Sequence, residues 1–439
     1  MIDVELIRNE PDHIRQGLKN KQADPALVDR FLALDGEWRE GVKKLDELRH
    51  EQKKLGEERK IEEAKTLKTA IKELGGRVAE LEAKRKETLL LIPNPPDETV
   101  PVGKDDTGNE VLREAGERPQ FSFAPRSYVE LSEKLGLVDT ERAGKVSGAR
   151  FGYLLSDAAR LEFALVKLAM DFTTKRENLE AIIAEKNLSL DPRPFVPVVP
   201  PVLIRPEAMR AMGYVERGGD EIYYLEKDGL YLVGTSEQSV GPMHMDEVFE
   251  ERDLPRRYIA FSTCFRREAG SYGKDTKGIL RVHQFDKVEM FSTTTPEASR
   301  EEHQLLLGVE EKLTQLLGIP YHVLAICTGD LGDPAAAKFD IEAWLPGQNE
   351  GKGEYRETHS TSNTTDFQAR RLNIRYRSAK DRELRFVHML NGTAFAIGRM
   401  LIAIMENYQT EQGTIRVPEA LRSYVGKDEI KGEHDAERS

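Results

Sequence analysis

Two runs of apolar residues at heptad spacing constrain the fold of this chain more than any other feature of its sequence. The first run consists of Leu27, Phe31, Leu34, Trp38, Leu45, Leu48 and Leu55, with weak positions at Gly41 and Gln52. The second consists of Ala64, Leu67, Ile71, Leu74, Val78 and Leu81. Heptad spacing places apolar side chains along one side of a helix, where a second helix can cover them. The charged residues EERK separate the two runs, and the prolines of IPNPP stop the second, so we expect an antiparallel helical hairpin over about residues 27–92.

The charge of this hairpin leaves two uses open. Residues 27–92 carry 16 Lys and Arg against 15 Asp and Glu, whereas the whole chain has a net charge of −12. The overall field of an acidic chain repels nucleic acid, so any contact with phosphates must come from a local basic surface. The hairpin is therefore either a coiled coil for dimerisation or an arm whose basic stripe touches a phosphate backbone, and periodicity alone does not separate the two.

The rest of the chain has the pattern of a mixed α and β protein. Residues 93–125 are rich in Pro, Gly and Asp, which is typical of a linker. Helices are predicted over residues 158–186, 301–317 and from a glycine turn at 391 to about 409, and strands over 195–204, 321–327 and 339–345. Over residues 258–293, short β-prone runs flank a polar loop. The prolines within residues 195–204 assign that strand to a sheet edge or interface. We expect an α+β fold with an N-terminal domain over 1–110, a larger domain over 111–426 and a charged, disordered tail over 427–439.

Cysteine content and hydropathy exclude several classes of protein. Cys264 and Cys327 are the only cysteines, too few for a disulfide framework or a multi-cysteine metal site, and they fit a reducing cytoplasm. The first twenty residues contain no apolar signal segment, and the apolar run over 394–405 is interrupted by Arg399 and too short to cross a membrane. We therefore expect a cytoplasmic protein.

The segment Phe261 to Phe291 has the densest arrangement of polar and aromatic residues. On a strand, Arg266 and Glu268 would project from one face, and Phe285, Lys287 and Glu289 would do so on the returning strand. Such a set suits a nucleotide, with the arginine on a phosphate and the aromatic ring stacked on the base. The alternative is a solvated hairpin with ordinary surface charges. The intervening loop AGSYGKDTKG lacks the glycine spacing and the following helix of a Walker A loop.

Three further segments carry candidate residues. Thr235 and Glu237 alternate within VGTSEQSVG, and Glu357 in EYRETHSTSN is a plausible oxygen ligand for magnesium. Arg399 is part of the segment MLNGTAFAIGRM and lies in an otherwise apolar predicted helix, where an arginine is either a salt-bridge partner or a ligand. His283, His359 and His388 have no metal-binding spacing, and no motif for a covalent nucleophile is present.

Taken together, these segments resemble class II aminoacyl-tRNA synthetases, and within that class the seryl-tRNA synthetase family. Motif 1 resembles the helix beginning near Ala158 and the strand with Pro200 and Pro201; motif 2 resembles CFRREAGSYGKDTKGILRVHQFDKVEMF, and motif 3 resembles LNGTAFAIGRMLIAIMENYQ. The stretches GTSE, CTGDLG, DFQARR and VPEALRSYVG are also similar to this family. The resemblance covers essentially the whole chain. It implies a central antiparallel sheet flanked by helices, a homodimer formed through motif 1, and a coiled-coil arm that grips the long variable arm of tRNA.

The resemblance also implies roles for individual residues. Arg266 and Arg399 are the implied catalytic residues, on the α-phosphate and the far phosphates of ATP. The implied ATP site comprises Arg266, Glu268, Val282, Phe285, Glu357, Thr358, His359, Ser360 and Arg399. Glu357 and Ser360 are the implied magnesium ligands, and His359 replaces a small residue of the family pattern. The implied serine site comprises Thr235, Ser236, Glu237, Glu289 and Thr393.

The implied activity is the ATP-dependent formation of seryl-adenylate, followed by transfer of the seryl group to the 3′ end of the serine tRNA, and also of the selenocysteine tRNA. Two alternatives stay open at this point. A paralogue that loads a carrier protein typically lacks the long arm, and a catalytically dead tRNA-binding protein would lack Arg266, Arg399 or Glu289. This sequence has the arm and all three residues.

Overall fold

The chain divides into two units, residues 1–96 and 97–439. The structure, a computed structural model, describes residues 1–215, 221–269 and 277–432, so most of the predicted loop 269–278 and the end of the predicted tail lie outside the described residues. The expected boundary at residue 110 is wrong. Asp97 N donates to Ala336 O (2.8 Å) and Thr328 N donates to Pro101 O (2.9 Å), so backbone hydrogen bonds tie the predicted linker to the second unit.

The N-terminal unit is helical, and the predicted hairpin is confirmed. Its helices are α1 (Val4–Asn9), α2 (Pro11–Asn20), α3 (Ala26–Glu57) and α4 (Ile61–Leu91). Both weak heptad positions have a physical explanation. A Cβ atom at Gly41 would lie 2.9 Å from Val78 Cγ2, so glycine lets the two helices approach there. Gln52 Nε2 donates to Ala64 O (3.2 Å), which links the helices near their connection.

A buried carboxylate fixes the other end of the hairpin. Asp35 on α3 accepts hydrogen bonds from Arg8 Nε (2.8 Å) and Arg85 Nε (2.6 Å), so one side chain joins α1, α3 and α4. Burial raises the pKa of Asp35, but the hydrogen bonds and charges of the two arginines outweigh it and lower the pKa. Arg85 also lies over the ring of Trp38, 4.6 Å from its centroid.

An eight-stranded sheet forms the centre of the second unit, in the order β1-β11-β12-β13-β16-β10-β9-β4. Every pairing in it is antiparallel except that of the edge strand β4 with β9. The strands are β1 (Glu110–Ala115), β2 (Val138–Asp139), β3 (Tyr153–Leu154), β4 (Val196–Val198), β5 (Leu203–Ile204), β6 (Tyr224–Leu225), β7 (Leu230–Leu232), β8 (Val248–Glu250), β9 (Arg256–Phe265), β10 (Gln284–Thr294), β11 (Tyr321–Ala325), β12 (Ala337–Leu345), β13 (Glu354–Asn363), β14 (Arg375–Arg377), β15 (Leu384–Phe386), β16 (His388–Ala396), β17 (Ile415–Arg416) and β18 (Glu429–Ile430).

Helices pack against this sheet. They are α5 (Tyr128–Leu135), α6 (Thr140–Ser147), α7 (Asp157–Thr173), α8 (Arg176–Glu185), α9 (Pro206–Met212), α10 (Glu237–Val240), α11 (Ser299–Leu316), α12 (Gln348–Gly351), α13 (Phe367–Leu372), α14 (Ile397–Asn407) and α15 (Glu419–Val425). The apolar faces of α7, α11 and α14 form the main core with the central strands. The predicted α+β class, with a central antiparallel sheet and flanking helices, is therefore confirmed. None of the helices in the described part of the chain is long and apolar enough to span a membrane.

Three local predictions are wrong. The single helix over 158–186 is two helices, because Thr174 Oγ1 and Asn178 Nδ2 bind the last carbonyls of α7. The glycine turn at 391 is the middle of β16. The tail is ordered at least as far as β18, which pairs with β17 and buries Ile430.

Gly392 of β16 serves packing rather than a turn. A Cβ atom at this position would lie 2.9 Å from Glu310 Oε1 of α11. The missing side chain therefore lets α11 pack closely against the central strand.

Candidate functional site

A cavity of about 710 Å³ opens on one side of the central sheet. Its walls come from β9, β10, β12, β13 and β16, the segment that leads into α10, and the first turn of α14. Twelve of the predicted site residues line it: Thr235, Glu237, Arg266, Glu268, Val282, Phe285, Glu289, Glu357, Thr358, Ser360, Thr393 and Arg399. Segments that are far apart in the sequence thus converge on one cavity.

The two cavity arginines come from segments that are far apart in the chain. Arg266 follows β9, its Nε donates to Gly234 O (3.1 Å), and its guanidinium lies 5.3 Å from the ring centroid of Phe285. Arg399 projects from α14 and its Nη1 lies 3.0 Å from Glu357 Oε2. Two cations and a partly buried aromatic ring that line one cavity form a suitable site for a polyphosphate that carries a base.

Glu268 lines the cavity as predicted, but it does so from a loop and not from the predicted strand. Strand β9 ends at Phe265, so Arg266 and Glu268 are not neighbours on one strand face. Glu268 instead adopts a left-handed backbone conformation (φ 52°), and its Oε2 accepts a hydrogen bond from Arg281 Nη1 (2.7 Å). On β10, by contrast, Phe285, Lys287 and Glu289 share the cavity face, as the alternation predicts.

A bulge in β13 decides which residues of ETHSTSN face the cavity. The pairing with β12 shifts between Ile341 and Glu342, so that Thr358 is an extra residue on β13. Glu357 and Ser360 therefore lie on the same side of the sheet although they are three positions apart. Desolvation in the cavity raises the pKa of Glu357, but the charges of Arg399 and Lys338 outweigh it and lower the pKa to about 2.

Two predicted site residues do not line this cavity. His359 points to the opposite face of β13, where Thr314 of α11 lies near its ring, and burial lowers its pKa to about 3. A neutral, fully enclosed imidazole on that face makes no contact with the cavity, so its assignment to the ATP site is wrong. Ser236 is also buried, and its Oγ donates to Glu289 Oε2 (3.2 Å), so it supports the cavity wall from behind.

A buried acidic group forms one end of the cavity. Glu289 is only 2% exposed. Its Oε1 accepts a hydrogen bond from Lys287 Nζ (3.0 Å), and its Oε2 accepts from the hydroxyl of Thr235. Lys287 Nζ also donates to Thr235 Oγ1 (3.0 Å). The lysine balances the charge of Glu289, which allows a carboxylate to be retained at this depth.

A second buried carboxyl group lies beside the first. Glu237 at the start of α10 accepts a hydrogen bond at Oε2 from the hydroxyl of Tyr214 (2.7 Å). Burial and the nearby charge of Glu289 raise the pKa of Glu237 to about 7. Burial and the charge of Glu237 in turn raise the pKa of Tyr214, which stays a hydrogen-bond donor.

Sequence reasoning missed Tyr214, Lys338 and Asn391, which also line the cavity. Asn391 falls inside the motif LNGTAF. Had this motif been read as a strand, alternation would have identified Asn391 as a candidate cavity residue. Lys338 and Tyr214 gave no local signal, because a lysine in a strand and a tyrosine in a loop are ordinary surface residues in most proteins. Lys338 lies 3.5 Å from Asp340 Oδ2, on the same wall as Ser360.

Comparison with known proteins gives two family matches. Residues 1–96 match the seryl-tRNA synthetase N-terminal domain. Residues 223–408 match the class II tRNA synthetase core domain of the G, H, P, S and T enzymes. The second match contains all the predicted site residues, and the first contains the whole helical hairpin.

Relatives match over nearly the full length. The chain is 47% identical to the serine–tRNA ligase of Acidothermus cellulolyticus and 43% identical to that of Fervidobacterium nodosum, with 98% of this chain and 99% of each relative covered. Among solved structures, the seryl-tRNA synthetase of Pyrococcus horikoshii complexed with ATP is 40% identical, with a TM-score of 0.88 over 98% of this chain and 100% of the other. The cytoplasmic serine–tRNA ligase of Naegleria fowleri in complex with AMP is 36% identical, with a TM-score of 0.86 over 99% of both chains. Since relatives that are 40% identical or more cover 98% of the chain and both units match domain models of this kind, this chain belongs to the seryl-tRNA synthetase family of class II aminoacyl-tRNA synthetases.

Proposed function

We propose that the cavity described above is where this chain activates serine, and that the residues lining it divide into an ATP part and a serine part. The chain is an ATP-dependent aminoacyl-tRNA ligase that forms seryl-adenylate and transfers the seryl group to tRNA. The observation that carries the residue assignment is the meeting of Arg266 and Arg399 with two buried carboxyl groups, Glu237 and Glu289, around one cavity.

In the first step, a serine carboxylate oxygen attacks the α-phosphorus of ATP in line, and pyrophosphate leaves. No enzyme nucleophile is required, because the protein acts by positioning the reactants and stabilising charge. We assign Arg266 to the α-phosphate and Arg399 to the β- and γ-phosphates. Phe285 supplies a face for the adenine ring, while Val282 and Glu268 border it. In the second step, a hydroxyl of the tRNA 3′ end attacks the carbonyl carbon of seryl-adenylate, and AMP leaves.

The end of the cavity that contains the two buried carboxyl groups suits a small amino acid with a hydroxyl group. Glu237 and Glu289 attract the ammonium group, and Thr235, Thr393 and the carboxylates can bind the hydroxyl. Alanine would leave those buried polar groups without a partner, a defect that lets comparable sites discriminate by about 10⁴–10⁵-fold. Threonine must be excluded by the size of the pocket.

Magnesium fits the oxygen donors at the other end of the cavity. Glu357 and Ser360 share a face through the β13 bulge, and the low pKa of Glu357 keeps its carboxylate anionic. In the described part of the chain, the nearby buried Asp340 Oδ1 has no hydrogen-bond partner. Magnesium is usually held by one or two carboxylates and keeps substrate phosphate oxygens in its shell, which this small donor set allows. When bound, the ion would neutralise phosphate charge, while Arg399 and Lys338 keep Glu357 oriented.

We further propose that the hairpin α3–α4 binds the serine tRNA, and the selenocysteine tRNA in the same way. Its near-neutral charge supports this, because the segment adds no repulsion to a phosphate backbone, unlike the acidic remainder of the chain.

Cytoplasmic action is proposed from the description of the Naegleria relative. The overall test is the transfer of radiolabelled serine to unfractionated tRNA. Serine activation without any transfer to tRNA would instead favour a carrier-loading enzyme.

A homodimer through motif 1 is proposed from exposed apolar side chains on that motif. Phe163 of α7 is 63% exposed, and Val199, just after the edge strand β4, is 76% exposed. Large exposed apolar groups on one sequence motif are typical of an interface. We expect the protein to have the mass of a dimer by light scattering and the double variant Phe163→Glu, Val199→Asp to have that of a monomer. Exposed Leu384 changed to Glu is the control, and a dimeric double variant would contradict the proposal.

Glu289→Ala is expected to lower serine-dependent ATP–pyrophosphate exchange by about 10²-fold or more, because it removes a charge from the serine pocket and leaves Lys287 buried without its partner. Glu289→Gln, which keeps the shape but not the charge, should be similarly slow. Glu301→Ala on α11 controls for loss of a glutamate. Exchange at the wild-type rate in Glu289→Ala would show that the serine pocket is elsewhere.

A further inference from the structure

Glu237 is held by groups that orient it without neutralising it. Gln368 of α13 is fully buried, and its Nε2 donates to Glu237 Oε1 (2.7 Å) and to Met212 O (3.3 Å). Tyr214 donates to the other carboxylate oxygen (2.7 Å). Each oxygen of Glu237 thus has one uncharged donor, and no Lys or Arg of the described residues forms an ion pair with it.

This arrangement differs from that of the neighbouring carboxylate. Glu289 has Lys287 as a direct cationic partner (3.0 Å), and the same ammonium group binds Thr235. Among the residues that the structure describes, Glu237 therefore has no cation at short range, although its side chain is only 3% exposed. A buried carboxylate without a cation is costly unless a ligand supplies the charge. The ammonium group of serine is such a ligand.

We propose that Gln368 is a positioning residue for serine selection, whose side-chain amide fixes the Glu237 carboxylate while leaving its charge for the substrate ammonium group. The inference rests on the proposed serine site. The orientation of the amide is set from both ends. Gln368 Oε1 lies 3.0 Å from Thr364 Oγ1, and the opposite orientation would turn that oxygen toward the carboxylate.

The groups around Glu237 also predict how kcat/KM for serine depends on pH. Burial and Glu289 raise the pKa of Glu237 to about 7, while Gln368, Tyr214 and Lys287 act to lower it. Because the anionic form binds an ammonium group, kcat/KM for serine should rise as pH increases through about 7. Removing a hydrogen bond that favours the anion raises this pKa further, so the rise should move to higher pH.

The test is Gln368→Met, which keeps the volume and removes the amide, measured in serine-dependent ATP–pyrophosphate exchange from pH 6 to 9. We expect KM for serine to increase about tenfold or more and KM for ATP to stay nearly constant, since one hydrogen bond to a charged group is lost. The pH midpoint of kcat/KM for serine should move upward, with partial recovery of activity at high pH. Gln409→Met is the matched control, because it removes a buried amide that bonds Arg126 and Glu406 outside the cavity, and it should leave KM for serine unchanged.

An unchanged KM for serine in Gln368→Met, equal increases for serine and ATP, or an unshifted pH midpoint would overturn the inference. If that variant does not fold, Tyr214→Phe removes the other donor and must raise KM for serine and shift the midpoint in the same direction, and a wild-type profile would overturn the inference equally. Absence of serine-dependent exchange in the wild-type protein would instead refute the proposed function.

Discussion

Arg266→Ala is expected to slow serine-dependent ATP–pyrophosphate exchange by about 10²–10³-fold, the usual loss when one preorganised donor to a transition state is removed. In-line attack spreads negative charge over the oxygens of the α-phosphate. Under the proposed assignment Arg266 meets that charge, with its Nε anchored to Gly234 O (3.1 Å) and its guanidinium over Phe285. The loss should appear mainly in kcat, since the charge develops in the transition state.

The adjacent arginine provides the matched control for this prediction. Arg267 lies near Tyr223, 5.8 Å from its ring centroid, and does not line the cavity. Arg267→Ala should therefore exchange at close to the wild-type rate. Arg266→Lys should be intermediate, because a lysine retains the charge but loses the planar fork. Equal rates for the two alanine variants would refute the assignment of Arg266 to the α-phosphate.

Shortening the helical hairpin is expected to slow transfer to tRNA by about 10²-fold or more and to leave adenylate formation intact, because the variant removes the proposed phosphate contacts and does not alter the cavity. The variant replaces residues 48–71 with a short Gly-Ser linker. The cut lies beyond the close approach of Gly41 and Val78, so Asp35 with its two arginines remains to hold the helices. The measurements are charging of serine tRNA and serine-dependent exchange on the same preparation.

A charge-reversal variant separates contact with tRNA from a structural role of the hairpin. Lys53, Lys54, Lys68 and Lys72 are exposed on α3 and α4, and replacing all four with glutamate keeps the helices but repels phosphate. We expect weaker charging with a smaller dependence on salt and unchanged exchange. Parallel loss of exchange and charging in either variant would show that the hairpin stabilises the enzyme rather than binding tRNA.

Sequence reasoning was most successful where one contiguous segment carries the signal. The heptads predicted α3 and α4 to within a few residues, and alternation on β10 correctly placed Phe285, Lys287 and Glu289 on one face. Sequence reasoning failed where the pairing with a neighbouring strand decides to which side of the sheet a side chain points. His359 was assigned to the ATP site, but the extra residue Thr358 in the pairing with β12 turns it to the opposite side of the sheet.

The sequence by itself determined the helical hairpin, the α+β class and the short motifs that hold the candidate side chains, because periodicity and motif spacing act between residues close in the chain. Only the tertiary structure decided that Glu237 would meet Tyr214 and Gln368, that Lys338 would face Glu357, and that Gly392 would make room for Glu310. These contacts join distant segments, so their existence depends on strand order, register and helix packing, which local sequence patterns do not specify.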